Sequence, residues 1–196
     1  MNERSLMDYA RRGADLRVSM VSNSHETIRD AASEIVQCFR QGGKLLIFGN
    51  GGSAADAQHV AAELVARFKS TRRAFPALAL TTDSSVITSI ANDFDYSEIF
   101  ARQIEALGRP GDVALAISTS GKSKNVLRGL AAARNDGLVT IGLTGRDCGP
   151  MMDLCKVLLA VPESETSLVQ ETHLMVEHML CGLVEEGLAQ EETKFA

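Results

Sequence analysis

His59 and Glu63 are the residues with the clearest chemical potential in this sequence, because they lie four positions apart in a segment predicted to be helical. Side chains at positions i and i+4 of a helix share one face, so the imidazole and the carboxylate can act on the same atom or ion. These groups bind divalent metals such as zinc, and they also transfer protons near neutral pH. The pair therefore predicts a metal site, a proton-transfer site, or both.

A glycine-rich loop, Gly49-Asn50-Gly51-Gly52-Ser53, comes just before this pair and follows the apolar run 44–48, which reads as a strand. Glycines let the backbone approach a ligand closely, and Ser53 is expected to cap the helix that follows. The N-terminal N–H groups and the dipole of such a helix attract phosphate. We therefore predict an anion cradle at the start of the helix that carries His59 and Glu63.

A second polar loop, Ser118-Thr119-Ser120-Gly121-Lys122-Ser123, contains four hydroxyls in six positions. Hydroxyl and backbone N–H groups can hold a phosphate without an arginine, and ligands of parallel sheets bind at the C-terminal ends of the strands. A simple capped turn is the alternative interpretation, because Ser and Thr are common in such turns. The predicted position on the same sheet edge as the glycine loop favours phosphate binding.

Polar and ionisable side chains also gather at 170–178, in the last predicted helix. Periodicity leaves open whether Gln170 or Glu171 is the partner of His178. His173 and Glu177 form a competing i,i+4 pair, which we interpret as a solvated surface pair.

A metal site requires the two distant helices to bring their donors together. Two imidazoles, those of His59 and His178, with the Glu63 carboxylate and one further oxygen would suit zinc or another borderline divalent ion. Asn92-Asp93 follow the second predicted strand and its helix. They could hold sugar hydroxyls, although an ordinary turn explains them equally well.

Apolar runs and helical segments alternate along the chain, which predicts an α/β fold with a doubly wound five-stranded parallel sheet flanked by helices. The predicted strands are 45–48, 77–80, 113–118, 139–143 and 157–161. The predicted helices between them are 54–68, 84–91 with 97–107, 124–135 and roughly 149–153. Extra N-terminal helices cover 5–39, with a break expected near 22–24, and a long C-terminal helix covers 167–187. The long helix has too much apolar surface for one solvent-facing side, so we expect subunit association.

The length of 196 residues predicts one domain over 1–196, with 1–40 used in oligomerisation and 41–190 as the α/β core. A net charge of −5 without a dense Lys/Arg cluster argues against nucleic acid as a partner. Neither a bilayer-spanning apolar stretch nor a secretory leader is recognisable, so we expect a cytoplasmic protein without a membrane partner. The four cysteines lack a CxxC pair, which fits reduced thiols.

These motifs resemble the sugar isomerase (SIS) domain family and, within it, the phosphoheptose isomerases. The similarity covers essentially the whole chain, through residues 49–59, 91–94, 117–121 and 170–173. It implies a cytoplasmic homotetramer with active sites between subunits. It also implies conversion of sedoheptulose 7-phosphate to D-glycero-D-manno-heptose 7-phosphate through an enediol, the first step of bacterial ADP-heptose and lipopolysaccharide-core synthesis.

The resemblance also implies roles for individual residues. One zinc ion per subunit would be held by His59, Glu63, Gln170 and His178, which favours Gln170 over Glu171. Glu63 would be the base and His178 the acid, although a carboxylate bound tightly to zinc is a poor base, so its role as ligand, base or both stays open. The implied substrate contacts are Asn50, Gly51, Gly52, Ser53, Glu63, Asn92, Asp93, Ser118, Thr119, Ser120, Ser123 and Gln170.

Two other functions are compatible with parts of the sequence. A non-catalytic SIS protein that binds a replication initiator shares the glycine loop, but it lacks the acid and the imidazole found here at Glu63 and His178. A dinucleotide-binding oxidoreductase is suggested loosely by Gly49-x-Gly51-x-x-Ala54. Its fingerprint requires an acidic residue about 20 positions further on, whereas Asp83 follows Gly51 by about 30.

Overall fold

A five-stranded parallel sheet forms the centre of the structure. The computed structural model describes the backbone of residues 3–192 and the side chains of residues 3–189. The strands are β1 Leu45–Gly49, β2 Ala77–Ala79, β3 Val113–Ser118, β4 Val139–Thr144 and β5 Val157–Ala160. Their order is β2-β1-β3-β4-β5, and each neighbouring pair is parallel. Each predicted strand agrees with the structure to within one residue at either end.

Helices cover both faces of this sheet, so the predicted doubly wound α/β fold is confirmed. They are α1 Glu3–Arg40, α2 Gly52–Val65, α3 Ser84–Asp93, α4 Ala101–Leu107, α5 Lys124–Asn135, α6 Met151–Leu154 and α7 Thr166–Glu192, with a 3₁₀ turn at Tyr96–Glu98. Successive strand residues point to opposite faces. Leu45 and Ile47 therefore join a core with α1, α2 and α7, whereas Leu46 and Phe48 join a core with α3, α4, α5 and α6.

The topology creates a crevice at the carboxyl ends of β1 and β3. These strands are neighbours, with Gly49 paired to Ile117. The chain leaves β1 towards β2 on one side, while β3 lies on the other side, and ligands of open α/β sheets bind at such a reversal. The glycine loop and the hydroxyl loop therefore emerge side by side.

Helix α1 is continuous through residues 22–24, so the predicted break is wrong. Ser and Asn are weak helix formers, but Met20 and Ile28 on either side of this segment are buried in the core beside α7. Tertiary packing therefore outweighs local propensity. Within residues 3–192, no helix combines the length and the apolar character needed to cross a membrane.

Candidate active site

The glycine loop makes a tight turn from β1 into α2. Gly51 has a φ of 56°, a left-handed conformation that favours glycine. A Cβ on Gly49 would lie 2.7 Å from the carbonyl oxygen of Ile117, so a larger residue would push against β3. Gly51 is the N-cap of α2 and no side chain caps this helix, so the predicted capping by Ser53 is wrong. Ser53 lies buried in the first turn, and the helix N-terminus is left without a side-chain cap that would compete with an anion.

The hydroxyl loop forms a second tight turn, from β3 into α5. The hydroxyls of Ser118 and Ser123 lie 3.2 Å apart, and the hydroxyl of Ser120 accepts a hydrogen bond from the Lys122 N–H at 3.2 Å. Gly121 has a φ of 64°, and a Cβ there would clash with the carbonyl of Cys148. Thr119 is half-buried and Ser120 is exposed, so this loop presents hydroxyls to solvent at the sheet edge.

Asn50 and Asn125 join the two loops. Each amide nitrogen donates to the other residue's oxygen at 2.8 Å, and the Tyr96 hydroxyl also donates to Asn50 Oδ1 at 3.2 Å. Asn125 is buried at the start of α5. The side chain of Asn50 therefore connects the loops, in addition to any contact with a ligand. Sequence analysis assigned no role to Asn125, whose only signal was its position directly after the hydroxyl loop.

Asn92 and Asp93 end α3 and are both exposed. The Asn92 amide donates to the Asp93 carboxylate at 2.7 Å. Among the described side chains, neither residue bonds to the glycine loop or to the hydroxyl loop. The structure thus leaves this pair available to a ligand but does not itself connect it to the two loops.

Helices α2 and α7 bring His59, Glu63 and His178 together. The Nε2 atoms of the two histidines are 2.8 Å apart, and His59 Nε2 is 3.6 Å from Glu63 Oε1. One ligand atom from each of the three residues fits within a span of 4.8 Å, and all three residues are half-buried. Neighbouring ligands of a tetrahedral zinc ion lie roughly 3.4 Å apart, given metal–ligand bonds of about 2.0–2.1 Å. The donor set and its spacing therefore fit zinc or a similar divalent cation.

Gln170 and Glu171, between which helical periodicity could not decide, point to different neighbours. The Gln170 amide nitrogen donates to Asp56 on α2 at 3.1 Å, and its amide lies against Gly52. Both carboxylate oxygens of Glu171 instead bind α1, at 2.8 Å from the Tyr9 hydroxyl and 2.9 Å from Arg17. Gln170 is therefore the one directed towards α2, the helix that carries His59 and Glu63.

His173 and Glu177 are fully buried, so their interpretation as a solvated surface pair is wrong. His173 Nε2 lies 3.1 Å from the carbonyl oxygen of Thr144, and burial lowers the pKa of His173 to about 4. Burial, with a contribution from Asp56, raises the pKa of Glu177 to about 8. Within the described residues, neither carboxylate oxygen of Glu177 has a hydrogen-bond partner. The error has a simple cause, since α7 packs against α1 and α2 and this face is not exposed to solvent.

Residues 68–72, which follow α2, contact both His178 and the end of α2. Phe68 stacks on the His178 ring with the ring centroids 5.6 Å apart. Glu185 on α7 accepts hydrogen bonds from three consecutive backbone N–H groups, starting at Phe68, and from Arg72 Nε at 3.0 Å. Arg72 also donates to the carbonyl oxygen of Glu63 at 2.9 Å. These contacts, which the sequence did not predict, connect the end of α2 to α7.

Several known proteins with similar sequences are phosphoheptose isomerases. The SIS domain family matches residues 8–145. A phosphoheptose isomerase from Desulfovibrio desulfuricans is 52% identical over 90% of this chain and 84% of its own length. Another from Roseiflexus sp. is 47% identical over 96% of this chain and 95% of its own length.

Solved structures of phosphoheptose isomerases also superimpose closely on this chain. The phosphoheptose isomerase GmhA from Neisseria gonorrhoeae superimposes with a TM-score of 0.89 and 38% identity, covering 94% of this chain and 98% of that one. A phosphoheptose isomerase from Francisella tularensis gives a TM-score of 0.91 at 33% identity, covering 95% and 100%. The sequence, the sheet order and the convergence of α2 and α7 thus lead to one assignment: the chain belongs to the SIS domain family and, within it, to the phosphoheptose isomerases.

Proposed function

We propose that this chain is an aldose–ketose isomerase that converts sedoheptulose 7-phosphate to D-glycero-D-manno-heptose 7-phosphate. The observation that carries the proposal is the meeting of His59, Glu63 and His178 where α7 packs beside α2, the helix that begins at the glycine loop. His59 stands seven residues into α2, about 10 Å from the glycine loop at 1.5 Å per residue. A sugar phosphate held at the loops can therefore extend towards the three side chains.

The two loops would bind the phosphate and the adjacent hydroxyls. The uncapped N-terminus of α2 offers N–H groups and a positive dipole end, and the hydroxyls of Thr119 and Ser120 offer further donors. Gly51, Gly52, Ser53, Ser118 and Ser123 complete the two loops. Asn92 and Asp93 are exposed at the end of α3 and remain candidates for binding sugar hydroxyls.

Glu63 and His178 would exchange the protons of the reaction. Isomerisation moves a proton between adjacent carbons through an enediol, which requires a base for the carbon-bound proton and an acid for the oxygen. In our proposal the Glu63 carboxylate takes the proton from C1 and the imidazole of His178 protonates the carbonyl oxygen on C2, which forms the enediol. Return of a proton to C2 and loss of the proton from the C1 hydroxyl then complete the aldose. Arg72 donates to the backbone carbonyl oxygen of Glu63 and so holds the end of α2, and Phe68 stacks on His178 and so limits the movement of the imidazole.

A divalent cation, which we propose to be one zinc ion per subunit, would be held by His59, Glu63, Gln170 and His178. When bound, it would polarise the substrate carbonyl and stabilise the negative charge that develops on oxygen.

We propose that the protein is a cytoplasmic homotetramer in which residues 1–40 mediate assembly and residues 41–190 bind the substrate. Helix α1 exposes apolar side chains, including Leu6, Met7 and Val18. An open groove of about 630 Å³ between α1 and α7 reaches Phe68 and His178. An apolar surface of this kind that borders the site supports active sites at subunit interfaces.

The direct test is to incubate the purified protein with sedoheptulose 7-phosphate in heavy water. An enediol route predicts an aldose phosphate that carries solvent deuterium at the carbon which receives the proton. Failure to form an aldose phosphate with the metal-loaded protein would refute the proposal. Elemental analysis of the same preparation should find about one zinc per chain, and loss of activity with a chelator should be reversed by added zinc.

The non-catalytic alternative, a SIS protein that binds a replication initiator, is not supported. The relatives and structures described above are phosphoheptose isomerases. The acid at Glu63 and the imidazole at His178, which distinguish the enzyme from that relative, are both present and close to His59.

A further inference from the structure

The side-chain amide of Gln170 can contribute to a cation site only in one of its two orientations. An amide oxygen is a metal ligand, whereas the amide NH₂ group is a hydrogen-bond donor and repels a cation. Rotation by 180° about the last side-chain bond exchanges the two groups with little change in shape. Some neighbouring group must therefore select the orientation that presents oxygen.

We infer that Asp56 is the positioning residue that selects this orientation, an inference that rests on the proposed metal site. Gln170 Nε2 donates to Asp56 Oδ2 at 3.1 Å. An ionised carboxylate only accepts hydrogen bonds, so it binds the NH₂ group and not the oxygen of the amide. Within the described residues no donor bonds the Gln170 oxygen, which is thus left for another ligand.

The placement of Asp56 suits this task. Asp56, His59 and Glu63 lie at positions i, i+3 and i+7 of α2, so one face of the helix carries the positioning carboxylate and two of the proposed ligands. Asp56 is 8% exposed and does not swing freely in solvent. The hydrogen bond thus ties a ligand from α7 to the same rigid helix that supplies the other ligands.

Gly52 provides the space that the Gln170 amide occupies. A Cβ on Gly52 would clash with the amide nitrogen of Gln170 and lie 2.5 Å from its oxygen. The amide is therefore confined between the backbone at the start of α2 and the Asp56 carboxylate. These two contacts restrict the amide before any ligand arrives, and preorganisation of this kind raises metal affinity.

The first test compares zinc affinity, measured by competition with a chromophoric chelator, for the wild-type protein and the Asp56→Asn variant. The replacement keeps the shape but lets residue 56 offer either a donor or an acceptor, so the Gln170 amide loses its preference. We expect zinc affinity to fall about 10- to 100-fold, as for other groups that orient metal ligands. Asp136→Asn, which removes the same charge at the end of α5, should leave affinity within about twofold.

A rescue experiment separates positioning from general damage to the fold. In the Asp56→Asn/Gln170→Glu double variant, a carboxylate on α7 presents an oxygen in either orientation and accepts a hydrogen bond from the amide on α2. Gln170→Glu should therefore raise zinc affinity at least tenfold more in the Asp56→Asn background than in the wild-type background. General damage to the fold by Asp56→Asn would not be reversed by Gln170→Glu.

The possible outcomes distinguish this inference from the proposed function. If Asp56→Asn leaves zinc affinity unchanged, or the two substitutions act additively, the positioning role is refuted while the isomerase proposal stands. If Gln170→Ala also leaves zinc affinity unchanged, both the positioning role and the assignment of Gln170 as a ligand fall. The isomerase activity itself is judged separately, by formation of the aldose phosphate.

Discussion

Glu63 and His178 are the residues on which the proposed chemistry depends most directly. Glu63→Gln and His178→Ala should each lower kcat by a factor of roughly 10² to 10⁴, the usual contribution of general acid–base catalysis. The fold should survive, because both side chains are half-buried and are not part of either core. Steady-state kinetics and thermal unfolding of each variant test this expectation.

Glu105→Gln is a suitable control for Glu63→Gln, because it makes the same chemical change at an exposed position on α4. A kcat within about threefold of wild type for Glu63→Gln or His178→Ala would remove that residue from the mechanism. Zinc affinity should be measured for Glu63→Gln as well. A lost kcat with retained zinc would identify Glu63 chiefly as a base, and parallel loss of both would identify it also as a ligand.

Asn125 should affect substrate binding through Asn50. Asn125→Ala removes both hydrogen bonds of the amide pair and leaves Asn50 without its buried partner, so we expect a loss of about 1–3 kcal/mol in the free energy of unfolding. KM should rise more than kcat falls, because the loops lose their mutual support.

Ser120→Ala offers a contrast, since loss of the exposed Ser120 hydroxyl should change KM but not the free energy of unfolding. Equal KM values for wild type and both variants would contradict the assignment of the two loops to phosphate binding.

At the scale of elements, the contact between α7 and the segment after α2 depends on Glu185 and Arg72. Both side chains are less than 10% exposed, so Glu185→Gln leaves the Arg72 guanidinium buried without its counter-charge. We expect the free energy of unfolding to fall by about 3 kcal/mol in urea titrations. The neighbouring Glu186→Gln, at an exposed position, should change it by less than about 0.5 kcal/mol. Similar values for the two variants would show that the buried pair is unimportant for stability.

The success of the sequence predictions differs between kinds of element. The strands were located closely because β1 and β3 are buried on both faces and therefore consist of nearly continuous apolar residues. The break in α1 and the cap at Ser53 were wrong, because both predictions used local propensity where tertiary packing or a glycine with positive φ determines the backbone. His173 and Glu177 were misjudged because sequence periodicity does not reveal that two other helices cover the polar side of α7.

The site was predictable to the extent that its residues lie in short motifs. The glycine loop and the His59–Glu63 pair are continuous in sequence, so helix geometry sufficed for them. The partnership of His59 with His178 spans 119 positions; donor chemistry made it a hypothesis, and the family resemblance supported it. Asp56, Phe68, Asn125 and Glu185 act through contacts with distant segments, and nothing in their local sequence indicates those partners.

At the scale of the whole molecule, the buried histidine makes stability depend on pH. The pKa of His173 is about 4 in the folded protein and about 6.5 when unfolded, so the unfolded chain binds more protons between these values. His173 therefore contributes a loss of stability of about 3 kcal/mol as the pH falls from about 6.5 to 4. Glu177, whose pKa burial raises to about 8, contributes in the opposite sense over part of this range.

His173→Gln keeps a donor for the Thr144 carbonyl but does not titrate. Its unfolding free energy, measured by urea titration across this pH range, should fall less steeply than that of wild type. The carboxylates contribute equally to both proteins, so the difference between the two curves isolates His173. Parallel curves would contradict the proposed burial of an uncharged imidazole.

Assembly is the second property of the whole molecule. Val18 is 68% exposed on α1, beside the groove that reaches His178. Val18→Glu should shift the native mass, measured by light scattering, from a tetramer towards smaller species, because a charge in an apolar interface is costly. Leu107→Glu on α4 is a matched control, because α4 covers the opposite face of the sheet. A wild-type mass corresponding to a monomer would refute the proposed assembly.

The division of the molecule into layers has a consequence for how such a protein can change its role. The groups proposed to hold the phosphate lie in turns at the edge of the sheet, whereas the groups proposed to move protons lie on two helices of one layer. Substitutions confined to those helices would leave sugar-phosphate capture intact while abolishing turnover. A few amino-acid substitutions would therefore convert the isomerase into a sensor or carrier of the same metabolites. The reverse conversion would need the same small number of substitutions.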